Sequence, residues 1–124
     1  MGERKDLGLW GEEVIAKFLK RQGFVILARN FVSRFGEIDI IAKREEQLLF
    51  VEVKTRKVAL SYDTLPFPVL YVITKSKQQK IIRTARYFLF KNQIDDCACR
   101  FDVATVLIRE GEKEKIEYVE NAFE

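Results

Sequence analysis

Apolar residues recur over positions 3–21 with the period of a helix. At 100° per residue, Leu7, Trp10, Val14, Ile15, Phe18 and Leu19 fall within one arc of about 180°. Gly8 and Gly11 lie in that arc, where a missing side chain lets a helix sit close to a sheet. Trp10, on the same face, is expected in the core rather than as a stacking platform for bases. Glu12 falls on the edge of the arc and looks inward, whereas Glu13 points well outside it. Gly23 stands where a C′ glycine closes a helix.

Beyond Gly23 the pattern changes to short apolar runs. Phe24–Ala28 reads as a first strand, residues 30–36 as a turn or irregular stretch, Glu37–Lys43 as a second strand and Gln47–Thr55 as a third. The link between the last two, residues 44–47, is short and polar, as a hairpin connection should be. The run Leu48–Val53 is apolar on both faces apart from Glu52, which predicts a central strand covered on both sides. Glu52 and Lys54 share one face of it, as Glu37 and Asp39 share one on its neighbour.

Residues 58–73 carry two prolines two apart, which forbids a regular central strand, yet they are too apolar for an ordinary solvated loop. They receive no assignment. Thr74 is a plausible N-cap for a second helix over Lys75–Lys91, with Ile81, Ile82, Ala85, Phe88 and Leu89 as its apolar stripe. Gln78 lies within that stripe, and its amide needs a partner that the charged face of the sheet would supply. Arg100–Ile108 is a fourth strand, and Ile116–Val119 closes the chain after a charged turn. The order α-β-β-β-α-β-β predicts one domain over 1–124, a mixed sheet flanked by helices.

With 124 residues, nearly half apolar and a third charged, the chain is long enough for a real core. No apolar run approaches the ~20 residues of a membrane span and the N-terminus has no apolar signal region, so a cytoplasmic protein with no membrane partner is expected. The net charge of +3 hides an asymmetry. Between Thr64 and Ile94 the charged residues are all cations (Lys75, Lys77, Lys80, Arg83, Arg86, Lys91), whereas the end of the chain from Glu110 is strongly acidic. A basic stripe suits a phosphate backbone, and a solvated helix face explains it equally well. Histidine is absent, which removes imidazole acid–base chemistry and Ser-His triads. Cys97 and Cys99 cannot supply the roughly four ligands of a zinc site and read as reduced thiols.

What remains is a set of acids in apolar surroundings. Glu12, Asp39 and Glu52 stand where bland elements would carry Val or Ile, and burying carboxylates without a cation is costly. An ordinary Glu52–Lys54 ion pair at a sheet edge accounts for those two taken alone. The apolar strand around them and Asp39 one hairpin away point instead to a hard divalent cation, which takes oxygen ligands. Asp102 interrupts another apolar strand, where pairing with Arg100 or capping an edge would explain it. Arg29, Asn30 and Arg34 precede the acidic strand and could contact phosphates or equally be solvated loop residues. Lys77 and Lys80 open the basic helix, where the dipole also favours anions.

The motifs in order are G-x-x-G-E (8–12), G-F-x-I-L-x-R-N (23–30), G-E-I-D-I-I-A (36–42), F-V-E-V-K-x-R (50–56) and R-F-D-V (100–103). This run resembles the YraN family, a bacterial group with a restriction-endonuclease-like fold related to archaeal-type Holliday junction resolvases. The resemblance implies the PD-(D/E)xK nuclease arrangement, with Ile38 in place of the motif's proline. Asp39 and Glu52 match the metal-binding acids, with the Val53 carbonyl as an extra ligand, and Lys54 matches the lysine that handles water or charge. Glu12 matches the helix-one glutamate, and Gln78 a polar position on the helix after the core. The function so implied is a Mg²⁺- or Mn²⁺-dependent endonuclease acting on DNA, duplex or branched, with Arg29, Arg34, Arg56, Lys77 and Lys80 at the nucleic acid and a homodimer if the resolvase analogy holds. The alternatives are a non-catalytic nucleic-acid-binding module with the same fold, and a protein–protein adaptor built on residues 58–73.

Overall fold

The computed structural model describes residues 2–58 and 73–124, side chains from residue 6 onward. In order the elements are α1 (Gly2–Arg21), β1 (Val25–Ser33), β2 (Gly36–Arg44), β3 (Gln47–Lys57), α2 (Lys75–Lys91), β4 (Ala98–Ile108) and β5 (Lys115–Phe123). The strands form one sheet in sequential order. β1–β2, β2–β3 and β4–β5 are antiparallel, whereas β3–β4 is parallel, with α2 in the crossover between them. This is the mixed α-β-β-β-α-β-β architecture that the pattern predicts. Most of the unassigned apolar segment, residues 59–72, lies outside the described residues.

Two cores sandwich the sheet. On one face Ile15, Ala16 and Leu19 of α1 pack on Ile40, Ala42, Leu49, Val51, Ala104 and Val106. On the other, Ile81, Ala85 and Phe88 of α2 pack on Ile38, Ile41, Leu48, Phe50 and Val103. β3 is buried on both faces from Leu48 to Val51, as a central strand must be. Burying each of these large side chains stabilises the fold by roughly 1.5–3 kcal/mol.

Helix α1 ends as predicted. Gly23 adopts a left-handed φ of 91°, its N–H donates to Lys20 O and the Phe24 N–H reaches Leu19 O, the paired bonds of a Schellman closure. The side of α1 that meets the sheet is turned from the predicted arc, however. Gly11, Glu12, Ile15, Ala16 and Leu19 are buried while Trp10 is 40% exposed, so Trp10 is a rim residue rather than core. Gly11 provides the close approach, since a Cβ there would collide with Thr55 Oγ1, but Gly8 faces open space.

β1 is longer than expected. It continues through Asn30, which takes a positive φ of 52°, to Ser33, and only Arg34 and Phe35 form the turn, because Ser33 pairs with Gly36. The polar residues that suggest a loop here are strand residues of a hairpin. β4 and β5 also exceed their predicted limits, starting at Ala98 and running to Phe123.

Candidate functional site

The ladder between β2 and β3 runs from Arg44↔Gln47 to Ile40↔Val51 and stops there. At the same place the alternation of β2 breaks: Ile38 joins the α2 core with Ile41, while Ile40 joins the α1 core. Asp39 sits at this break. Beyond the last rung, the Val53 N–H donates to Asp39 Oδ2 at 2.8 Å, so the parting strands remain tied by one side chain. The local sequence therefore opens a notch between two central strands and lines it with acid.

Glu52, next along β3, is 7% exposed, and its carboxylate comes within hydrogen-bonding reach of Asp39. Burial pushes the Asp39 carboxyl up to about 8, and the hydrogen bond and charge of Glu52 add to the rise. Two carboxylates in one desolvated place cannot both ionise without a cation. Lys77 of α2 supplies part of one: its Nζ lies 2.5 Å from Glu52 Oε2. That contact is an ion pair without hydrogen-bond alignment, and Glu52 Oε2 has no hydrogen bond.

Glu12 stands one step out from this pair. It is 9% exposed, and its Oε1 has no hydrogen bond, with Arg29 Nη2 at 3.9 Å. Burial raises its carboxyl above the usual range against the pull of Asn30 and Arg29, and the charge of Glu52 adds to the rise. Among the described residues, no three His, Cys, Asp or Glu side chains are gathered closely enough to form a ready metal cage. The oxygens that could hold a cation are those of Asp39 and Glu52, with the charge of Glu12 felt at both from the helix.

The other predicted residues are spread around the notch. Lys54 follows on β3 and is exposed; alternation along the strand gives it the Glu52 face. Gln78 is half-buried and donates through Nε2 to Ile73 O at 3.0 Å. Its partner is thus the backbone leading into its own helix, not the charged face of the sheet, because one turn of α2 brings that carbonyl nearer. Arg29 donates to Glu13 Oε2 at 2.6 Å, so Glu13, expected in solvent, holds the cation that flanks Glu12. Arg56 is half-buried on β3, Lys80 is exposed beside Gly36, and Arg34 lies over the Phe35 ring at 4.9 Å.

A second buried acid makes the pair with Arg100 that was one of its two expected explanations, and goes beyond it. Asp102, wholly buried on β4, accepts from Arg100 Nε and Nη2, from Tyr118 Oη at 2.6 Å and from the Asn121 N–H at 2.9 Å. Burial, and then the hydrogen bond to Asp102, push the Tyr118 phenol far above its ordinary value. The R-F-D-V run signals the Arg100 contact, but nothing local announces a tyrosine sixteen residues later on β5. Cys97 and Cys99 are free thiols, and no helix among the described residues is long and apolar enough to cross a membrane.

The sequence model of "Uncharacterised protein family UPF0102" matches residues 11–106, which include Glu12, Asp39, Glu52, Lys54, Gln78 and Asp102. The chain belongs to this family. It is the YraN family that the motif run resembles. A UPF0102 protein of Trichlorobacter lovleyi is 44% identical over 119 residues, 95% of this chain and 90% of the relative. Another, from Pelobacter propionicus, is 40% identical over 124 residues, 98% of this chain and 85% of that protein. Among solved structures, Archaeoglobus fulgidus Hjc, a Holliday junction resolvase from an archaeal hyperthermophile, matches 85% of this chain and 70% of its own, at 22% identity and a TM-score of 0.44.

Proposed function

We propose that this protein is a Mg²⁺- or Mn²⁺-dependent endonuclease that hydrolyses phosphodiester bonds in DNA, as a single cytoplasmic domain acting in a homodimer. The observation that supports it most is the Asp39–Glu52 pair: two carboxylates, desolvated together where β2 and β3 part, with the Val53 N–H, next to Glu52 on β3, donating to Asp39. Oxygen-only donors, a Glu52 oxygen without a hydrogen bond and an Asp39 that retains a proton in a cation's absence fit a hard divalent ion.

Asp39, Glu52 and the Val53 carbonyl would hold that ion, and its chemistry is to draw charge from the scissile phosphate and make a bound water nucleophilic at neutral pH. The Val53 N–H fixes Asp39 in one orientation. Glu12 deepens the negative potential from the helix side, and Lys54 brings an ammonium to stabilise developing charge or orient the water. Gln78, tied to the start of α2, positions that helix end at the notch. Arg34, Arg56, Lys77 and Lys80 would meet phosphates around the site, with Arg29 held by its acids at the rim. The kinship of the motif run with resolvase-like nucleases makes branched DNA the first substrate to try.

The decisive experiment is a cleavage panel of four-way junction, flap, duplex and single-stranded DNA with Mg²⁺ or Mn²⁺. Cutting by the parent protein, lost in Asp39→Ala and Lys54→Ala with DNA binding retained, establishes the enzyme. Binding without cutting on every substrate transfers it to the non-catalytic nucleic-acid-binding modules.

A further inference from the structure

The turn of the β1–β2 hairpin and the exposed side of α2 enclose a cleft of about 660 Å³ that shares Arg34 alone with the residues placed around the notch. Its charged lining residues, Arg34, Arg83, Arg86 and Lys91, are all cations, with no Asp or Glu among them. Two exposed rings from α2 share it: Tyr87 at 38% exposure and Phe90 at 82%. Arg86 and Tyr87 lie three and four residues after Arg83 and four and three before Phe90, so the four residues share one side of α2.

Both walls are fixed. Ser33 Oγ accepts from the Phe35 N–H and lies 3.2 Å from Thr84 Oγ1, which itself donates to Lys80 O. The turn is thereby bound to the helix, and the Arg34 guanidinium lies over the Phe35 ring. Single exposed apolar residues are ordinary. Uncovered rings interleaved with four cations in one fixed concavity have a specific complement.

A duplex offers phosphates and hides its base faces. An acidic protein surface offers charge and no stacking partner. An unpaired strand offers both, and proteins that hold one combine a cationic track with aromatic platforms. We propose that this cleft binds a single-stranded DNA segment, its bases stacked on Tyr87 and Phe90 and its phosphates on the surrounding arginines and Lys91. This rests on the nuclease reading and deepens it by naming the substrate class as DNA with an unpaired segment beside the cut. Lys77, in contact with Glu52, precedes Arg83 on the same helix. At 1.5 Å per residue the cleft residues of α2 from Arg83 to Phe90 lie roughly 9–20 Å farther along the axis, a few nucleotides at ~3.4 Å per step.

The test is fluorescence anisotropy on the full chain without metal, so that no cleavage is required and failure of the nuclease leaves the result readable. The probes are a labelled oligo-dT strand, the same strand with abasic sites, and a blunt duplex of equal length. Expected for Phe90→Ala and for Tyr87→Ala with Phe90→Ala is a loss of oligo-dT affinity on the order of tenfold. Duplex affinity should change less than about twofold, and the abasic strand should bind weakly to parent and variants alike. Phe90→Ala alone removes the most exposed ring and guards against misfolding. The proposal is overturned if single strand and duplex weaken equally, if neither weakens, or if sedimentation shows the same substitutions dissolving a dimer, which would make a second copy the occupant.

Discussion

Asp39 and Asp102 are aspartates on inner strands of the sheet, the first partly buried and the second wholly buried, and they are accommodated in opposite ways. Asp102 is surrounded by donors: a guanidinium, a phenol and a backbone N–H all point at it. Asp39 has one backbone donor and, for its nearest charged neighbour, another acid. A buried polar group that is fully met locks one arrangement; one left half-met waits for something outside the chain. The difference separates an acid whose partners secure β5 against β4 from an acid that the chain's own donors leave half-met, although the two look alike as letters in an apolar run.

The largest effect expected from breaking the comparison is at Asp102. Asp102→Ala removes the acceptor shared by Arg100, Tyr118 and the Asn121 N–H and leaves the Arg100 guanidinium with the exposed Glu120 carboxylate, 3.6 Å from its Nη2. Loss of one partner from such a buried network costs about 3–5 kcal/mol, readable as a drop in the urea midpoint. A loss under about 1 kcal/mol would mean that the network is decoration and the contrast with Asp39 empty.

Asp39 should behave in the opposite sense. Its carboxyl is raised from 3.8 to about 8 in the folded protein, so the fold keeps a proton that the unfolded chain has released. Stability of the metal-free protein then falls as pH rises between about 4 and 8, and levels off above. Asp39→Asn retains an acceptor for the Val53 N–H and adds no charge. It should be more stable than the parent at pH 8.5, on the order of 1–3 kcal/mol, and nearly equal to it close to pH 4. Excess Mg²⁺ should narrow the gap by stabilising the parent alone. An Asp39→Asn protein less stable at both pH values would place this acid with Asp102 among structural groups.

How far the sequence allowed this is itself explained by the two acids. The notch was legible because Asp39, Glu52 and Lys54 interrupt runs that otherwise read as buried strand, and interruption is visible without tertiary structure. Asp102 interrupts its strand just as clearly, but its meaning lies in Tyr118 and Asn121, which only the β4–β5 register brings to it. Trp10 was misread because an arc of about 180° is wider than the stripe that meets the sheet, which follows Gly11, Ile15 and Leu19. The end of β1 was missed because Asn30 has loop chemistry and takes a positive φ, yet the pairing with β2 carries the strand through it to Ser33. The cations of α2 were legible as a basic stripe, but the cleft was not, because its second wall, with Arg34 and Phe35, arrives on the hairpin.

The smallest expected effect sharpens what half-met means at the notch. Lys77 Nζ sits against the Glu52 oxygen that has no hydrogen bond, as a monovalent substitute for a cation of higher charge. Its side chain is about half exposed, so solvent screens the pair and its coupling is worth no more than about 1 kcal/mol. If Lys77 competes for that oxygen, Lys77→Met should tighten Mn²⁺ binding, measured by calorimetry without DNA, by up to about fivefold. Stability without metal should fall slightly, since two carboxylates then face each other unrelieved. If Mn²⁺ binding weakens instead, Lys77 holds Glu52 in position for the ion rather than standing in its place, and the notch is prearranged by the helix as well as by the parting strands.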